Sequence, residues 1–345
     1  MAAQSKTEDE FIAAFRALHP VLQKRILSKL KNQFGNEKIS LDSFVEDLRD
    51  KRFRKGVACP YCSGKKVVRN GKKKGHQTYQ CSDCRRYFSD LTHTPMSGTH
   101  RPELWPEFIE DMVRGKSIRE TAKRLGVAVS TIFNGRHKVL NALKRMELKE
   151  FEGILEADET FFRYSERGNR KIAGRKPHKR GERSKKRGIS KEKVCVLVGR
   201  GRNKQTHARV ACMGQISKAK AKTLIGPYVG SVSTLCSDAN GAWQSYAKEV
   251  ELKHVVLNAS QKQRVQNIYH IQNVNAFHSR LKQWMRRFNG VASKFLDNYL
   301  TWFRFIDDHS REALPAKTLE MLLAACLPIS PDRYVDIKNT TLALP

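Results

Sequence analysis

Two sets of residues in this chain have the types and spacing for chemistry. The first is acidic. The stretch FEGILEADETFFR (151–163) carries Glu156, Asp158 and Glu159 among Ile154, Leu155, Phe161 and Phe162, and TLCSDANGAW (234–243) carries Asp238. A buried strand seldom holds three acids without a cation to meet them. Alternation along a strand puts Glu156 on the face of Asp158 and Glu159 on the other, so Glu156 is expected to support Asp158 and Glu159 to stay outside a metal site. The second set is Cys59-Pro-Tyr-Cys62, eighteen residues, then Cys81-Ser-Asp-Cys84. Two CxxC pairs offer four thiolates to one tetrahedral ion, which is the spacing of a zinc ribbon. A shell filled by four sulfurs leaves no position for water, so this Zn2+ is expected to be structural.

The acids need a sheet to hold them. After 151–163 the pattern predicts a hairpin of strands at 194–201 and 206–213 and a helix near 217–228. A strand at 233–238, a helix near 241–250 and a strand at 254–258 follow. Between the first strand and the hairpin lies a basic insertion, 163–193, with too few apolar residues to fold alone; it reads as a loop able to close over nucleic acid. Between the CxxC pairs, KKVVRNGKKKGHQTYQ predicts a hairpin turning at Asn70-Gly71, with Lys72, Lys73 and Lys74 suited to phosphate contacts.

Lys and Arg number 66 against 34 Asp and Glu, a formal charge of +32 over 345 residues. So large a field calls for a polyanionic partner. Basic residues spread over several segments, without an apolar anchor, favour nucleic acid over membrane. The N-terminal MAAQSKTEDEF has neither a basic leader nor an apolar core, so a cytoplasmic, nucleoid-associated protein is expected. The four unpaired cysteines sit singly in apolar segments, as buried thiols do, and no disulfide framework is read.

Residues 8–34 and 41–48 have helical spacing and suggest a small packing or dimerisation module over 1–50. KSIRETAKRLGVAVSTIFNGRHKVLNAL (116–143) has the cadence of a helix-turn-helix. Ile118, Ala122 and Leu125 form one apolar edge, Gly126 allows the turn, Val127 and Val129 pack, and Ile132, Val139 and Leu140 face inward. Ser130, Thr131, Asn134, Arg136, His137 and Lys138 are then expected to face outward, placing the second helix in a DNA major groove. His270, His278, Trp243, Trp284 and Trp302 read as structural, although Trp243 offers a ring for a flipped base.

Strand with Asp, hairpin, helix, strand ending in a second Asp, later helix: this order resembles the ribonuclease H-like fold of DDE transposases and integrases. In this chain 79 residues separate Asp158 from Asp238, and 36 separate Asp238 from Asn275. EADET, SDANGAW and HIQNVNAFHSRLKQWMRRFNGVASKFLDNYLTWFRF (270–305) resemble the insertion-sequence transposases that join an N-terminal zinc ribbon to a catalytic domain with a D-D-N-K signature, over roughly residues 57–305. The resemblance implies that Asp158, Asp238 and Asn275 hold two Mg2+ or Mn2+ ions and that Lys282 meets phosphate. It also implies an oligomer on double-stranded DNA, both element ends and target. Asn275 stands where most of the wider superfamily has Glu; an amide oxygen coordinates magnesium but brings no charge. Lys282, seven residues on, shares its helix face.

The expected architecture is a multidomain α+β chain: a helical N-terminus (1–50), a zinc ribbon (55–95), a helix-turn-helix region (100–148), a ribonuclease H-like α/β catalytic domain with a mixed sheet (151–308), and a C-terminal helix and tail (309–345). The expected activity is metal-dependent cleavage and strand transfer at the terminal repeats of a mobile element. Two other readings use the same residues: a DNA-binding regulator whose catalytic domain is inactive, and a nuclease or resolvase on the same fold.

Overall fold

The computed structural model describes the chain except residues 1, 20–21, 24–25, 27–38, 74, 147–149, 170–171, 173–185, 187, 259–260, 262, 328–335, 338, 343 and 345. Lys74 and most of the basic insertion therefore lie outside the described residues. Two compact units form, one from Met1–Thr92, Gly98–Lys116 and Arg311–Leu323, the other from His93–Ser97, Ser117–Ser310 and Ala324–Pro345.

The first unit contains helices α1 (Ala2–Ala17) and α2 (Leu41–Arg52), a three-stranded antiparallel sheet of β1 (Val67–Lys73), β2 (His76–Cys81) and β3 (Tyr87–Ser89), and helix α3 (Trp105–Val113). Ser40 caps α2 by accepting the Ser43 N–H at 3.1 Å, and the helix buries Phe44, Val45 and Leu48. The β1–β2 hairpin forms, but not with the expected turn. Its last pair is Lys73↔His76, and the register slips between Arg69 and Lys72. Gly71, at φ 66°, serves a bulge there, because a left-handed residue suits a bulge as well as a tight turn. Tyr79 stacks on Phe88 with centroids 5.1 Å apart, and its hydroxyl donates to Asp90 Oδ1 at 2.9 Å. Arg49 of α2 meets the other oxygen of this fully buried acid at 2.7 Å, and Arg52 donates to the Asp90 and Thr92 carbonyls. One buried carboxylate thus docks the N-terminal helix on the ribbon.

The second unit opens with helices α4 (Ile118–Leu125) and α5 (Val129–Lys144). Strands β4 (Glu152–Arg163), β5 (Lys193–Gly201) and β6 (Thr206–Met213) follow, then helix α6 (Lys218–Ile225), strand β7 (Ser231–Ser237), helix α7 (Gly241–Glu249) and strand β8 (Lys253–Val256). A short hairpin of β9 (Val265–Gln266) and β10 (Tyr269–His270) leads to helix α8 (Gln272–Arg286) and helix α9 (Leu296–Asp308); the later helix α10 (Leu314–Cys326) belongs to the first unit as far as Leu323. The five-stranded sheet has the order β6-β5-β4-β7-β8. β4 and β5, and β5 and β6, pair antiparallel, whereas β4 and β7, and β7 and β8, pair parallel. The sheet is therefore mixed, and its strands match the expected positions.

Alternation on β4 divides its residues between two helical layers. Leu155 and Ala157 join a core with Ile225, Trp243 and Tyr246 from α6 and α7. The opposite face carries Glu156, Asp158 and Thr160. On that side Asp307 of α9 binds Arg200 of β5 at 2.9 Å and Arg280 of α8 at 2.9 Å, which ties both helices to the sheet.

Gly126 ends α4 at φ 63° as expected, but α5 presents different residues from those predicted. Arg136 is fully buried with its guanidinium 4.7 Å from the Trp302 ring. His137 is buried as well and accepts from the Asn298 amide at 2.9 Å; burial, together with Arg136, drives its pKa down to about 3. Arg136 lies four residues from both Ile132 and Leu140, so helical geometry assigns it to the inward stripe. Val129, expected to pack, is 48% exposed. Ser130 and Thr131 face solvent, Asn134 and Lys138 are half-buried, and on the ribbon Lys72 and Lys73 are exposed. No helix among the described residues is long and apolar enough to cross a membrane.

Replacing Asp90 with Ala removes the acceptor of Tyr79, Arg49 and part of the α2 docking. We expect the ribbon unit to lose about 2 to 3 kcal/mol. Hydrogen exchange should quicken at amides 41–52 and 76–89 while β4 amides keep their protection; equal rates in variant and wild type would refute the role given to Asp90.

Candidate active site and zinc centre

The four cysteine sulfurs of the ribbon lie within 4.8 Å of one another. Cys59 and Cys84 are 3.6 Å apart, as are Cys62 and Cys81. Tetrahedral thiolates bound at about 2.3 Å from zinc stand roughly 3.8 Å apart, so the set fits one Zn2+ with little rearrangement. Gly64 packs closely beside it: a Cβ there would sit 3.2 Å from the Cys62 sulfur and would make the exposed Asp83 carboxylate, 2.2 Å away, swing aside.

In the second unit the β4–β7 register brings the acids together. Glu156 pairs with Cys236 across the parallel strands, so two residues further along each strand Asp158 and Asp238 come alongside. Asp238 lies just past the end of β7, where its Oδ1 accepts the Asn240 N–H at 3.1 Å. Burial and the neighbouring Asp238 push the Asp158 pKa up to about 7, against the Glu159 N–H and Lys282, which favour the charged form. His278 Nδ1 stands 3.7 Å from Asp158 Oδ2. Burial and Lys282 lower the His278 pKa to about 4, so the ring is neutral near pH 7 and does not offset the acids. A buried carboxylate whose pKa is raised beside a second acid is a donor set short of positive charge, and divalent cations fit it.

Asn275 sits one helical turn before His278 on α8 and is exposed, as is Lys282. The structure thus brings Asp158, Asp238, His278 and Lys282 into one electrostatic neighbourhood. The Asn275 side chain shares the helix face of Lys282 but makes no hydrogen bond to either acid.

Glu156 has a larger structural part than the sequence suggested. Its carboxylate is fully buried. It accepts the Asn273 N–H at 2.8 Å, the Asn273 side-chain amide at 2.7 Å and the Val274 N–H at 3.0 Å, with Arg202 and His270 each 3.3 Å away. Helix α8 has no capping side chain at Ile271; Glu156 caps it from the strand, placing negative charge where unpaired N–H groups point. Glu159, read as outside the site, faces α7 as alternation requires. Trp243 Nε1 donates to one of its oxygens at 2.6 Å and Asn240 to the other at 3.2 Å. Burial, then Asp158 and Asp238, push its pKa up to about 7. Because Asn240 also bonds Asp238, Glu159 braces the loop that carries the second acid. Trp243 is fully buried and committed to this bond, which removes it as a stacking platform for DNA.

Residues 150–308 match the model of the ISXO2-like transposase domain, and residues 56–85 match that of the InsA N-terminal domain, a zinc ribbon. An uncharacterized protein in transposable element ISH50 of Halobacterium salinarum is 24% identical over 265 residues, covering 73% of this chain and 86% of that protein. A chain of the pre-cleavage Mos1 transpososome overlaps with a TM-score of 0.22 at 11% identity, over 66% of this chain and 79% of the other. The Mos1 mariner paired end complex with Mn gives 0.17 at 11% identity, over 94% and 98%. Overlaps that loose bear on neither fold nor activity. The family matches and the insertion-element relative define the class: a DDE-type transposase with an N-terminal zinc ribbon, an enzyme that acts on DNA with a divalent cation. Within that class, residues 150–308 are similar to the ISXO2-like transposase domain.

Two outcomes follow from the site. Asp158 and Glu159 titrate near 7 in the metal-free fold, against about 4 in an unfolded chain. The native state therefore binds more protons between those values, and stability should fall as pH rises from about 4 to about 7. Melting temperatures of zinc-loaded protein should follow that slope, Asp158→Asn should flatten it, and added Mn2+ should raise the wild-type melting temperature more at pH 8 than at pH 5. A slope identical in wild type and Asp158→Asn would contradict the assignment. Separately, Glu156→Gln places an NH2 against helix N–H donors and should cost about 2 to 3 kcal/mol, with faster hydrogen exchange at 273–276.

Proposed function

We propose that Asp158 and Asp238, with Asn275, form one site that cuts and joins DNA at the ends of a mobile element. The observation that carries this reading is the parallel pairing of β4 with β7, whose register sets the two acids side by side. These residues would hold two divalent cations, Mg2+ or Mn2+, which when bound make the attacking oxygen more nucleophilic and stabilise the leaving one. Asn275 contributes an uncharged oxygen, so the site carries less negative charge than a three-carboxylate set and gains ligands when a DNA phosphate enters. Lys282, exposed on the same helix face, pairs with a non-bridging oxygen of the phosphate under attack or of the flanking strand. His278, neutral, stands 3.7 Å from the Asp158 carboxylate and adds no charge to the site.

Water attacks the phosphodiester at the element end in line with the bond that breaks and releases a 3'-hydroxyl. That hydroxyl then attacks a target phosphodiester and displaces a second 3'-oxygen, so one site serves both steps. The catalytic region is read as ribonuclease H-like from the order of its strands and the positions of its acids. Recognition of the terminal repeats falls to the zinc ribbon, through Lys72, Lys73 and Lys74, and to the α4–α5 pair acting as a helix-turn-helix, through Ser130, Thr131, Asn134 and Lys138. Arg136 has no part in base reading, because it is spent on Trp302. An oligomer on DNA, at least a dimer, follows from the need to hold two ends.

Asp158→Ala and Asp238→Ala should each abolish Mg2+-dependent cleavage and joining of a labelled element end to plasmid DNA while leaving duplex affinity within about twofold; Lys138→Ala should weaken duplex binding with cleavage per bound complex retained. Nicks without joined product would point to a nuclease. No cleavage by the wild type, or full cleavage by Asp158→Ala, would remove the enzymatic site from these residues.

A further inference from the structure

The second unit has a cleft of ≈ 1370 Å³ that none of the proposed catalytic residues lines. Its walls come from the starts of α4 and α5, from residues 164–169 just after β4, from residues 287–295 between α8 and α9, and from Thr340, Thr341 and Leu342 near the C-terminus. Arg119, Arg167 and Arg287 stand exposed on these walls. Among the described residues none of the three is in an ion pair, and Glu166 is the only acid in the lining. Between the cations lie half-buried rings, Phe133, Tyr164 and Phe288, and the exposed Val129. The aromatic floor is rigid: Phe133 packs edge-on to Phe295 at 5.6 Å, and Phe288 against Trp284 at 4.7 Å and Tyr299 at 4.9 Å.

We propose that this cleft binds single-stranded DNA, an inference that rests on the transposase reading and extends it to a second contact on the same strand. Cations between fixed aromatic faces are what a single strand requires, with guanidinium groups on its phosphates and rings on its bases. A duplex offers its stacked bases to no side chain, so the rings distinguish the two forms, whereas the arginines alone do not. Tyr164, just past the end of β4, is six positions along the chain from Asp158, roughly 20 Å of extended chain, or about six base steps. The volume admits several nucleotides.

The test uses the full, zinc-loaded chain without magnesium and follows fluorescence anisotropy of a labelled oligothymidylate and of a blunt duplex of equal length. Tyr164→Ala and Arg287→Ala should each weaken oligothymidylate binding about tenfold and change duplex binding less than twofold. Tyr164→Phe should restore wild-type affinity, since the ring and not the hydroxyl stacks. Arg119→Ala, at an exposed position, gives the same readout if Tyr164→Ala does not fold. Unchanged oligothymidylate affinity in the folded variants, or equal losses for both DNA forms, overturns the proposal. So does competition by polyglutamate as effective as that by unlabelled oligothymidylate, which would make the cleft a general anion surface. Mg2+-dependent cleavage by the wild type reports on the transposase reading separately, so cleavage with no effect of these variants removes the cleft alone.

Discussion

The second unit depends on one buried carboxylate. Glu156 has no access to solvent, and a carboxylate in that position is tolerated only with hydrogen bonds and charge around it. Three bonds come from the first residues of α8, Arg202 adds positive charge, and the His270 ring lies 3.3 Å away. Were α8 to shift along the sheet, Glu156 would be left without those partners, at a cost of several kcal/mol. The helix is therefore fixed at its first turn to a point on β4 two residues, about 7 Å, before Asp158. Asp307 fixes it again near Arg280. Between these two anchors run Asn275 and His278, with Lys282 two residues past the second, so the distance from the strand acid to the helix face that would complete the site is set by bonds that involve none of the proposed catalytic residues.

The charge of the chain and the charge of the site have opposite signs, and each explains the other. A net +32 draws DNA to the surface. Inside the site the balance reverses: Asp158, Glu159 and Asp238 stand together, Lys282 is too exposed to neutralise them, and His278 is neutral. A DNA phosphate entering there adds further negative charge. Protons can relieve the acids in the free protein, as the raised pKa of Asp158 indicates, but protons offer no coordination to the phosphate. Divalent cations relieve both at once, which is why a site of this composition suits metal-assisted phosphodiester chemistry better than general acid–base chemistry by the acids alone.

What could be read from the sequence was whatever has a short period or a fixed local spacing. The CxxC pairs specify the sulfur cluster because four thiolates at that spacing have one common solution. Strands β4 to β8 were visible as apolar runs bounded by turns, and the nearness of Asp158 to Asp238 was expected from the resemblance in their order. Arg136 was legible too, and was misread: its spacing from Ile132 and Leu140 assigns it inward, but its charge suggested a DNA contact, and the Trp302 face that accommodates it lies 166 residues away. Asn70-Gly71 has the chemistry of a turn, yet Gly75 competes for that role and the register decided between them. The Glu156 cap could not be read at all, since its partners at 273 and 274 have no sequence pattern that names a strand acid. Glu159 was assigned to the correct face, but its bond to Asn240, and through it to Asp238, is tertiary.

The burial of Arg136 and His137 changes what α5 can do. A recognition helix on a separate module can search DNA independently of the chemistry. Here α5 packs on α9 through the Trp302 stack and the Asn298 bonds to His137 and Asn141, and α9 is bound to β5 and α8 by Asp307. Helix, sheet and acids therefore move as one body. Any DNA held by the start of α5 is held at a set distance from Asp158, and its register along the duplex or single strand is translated directly into which phosphate reaches the acids. If the start of α5 contacts DNA as proposed, this coupling makes it an element that chooses the position of the cut.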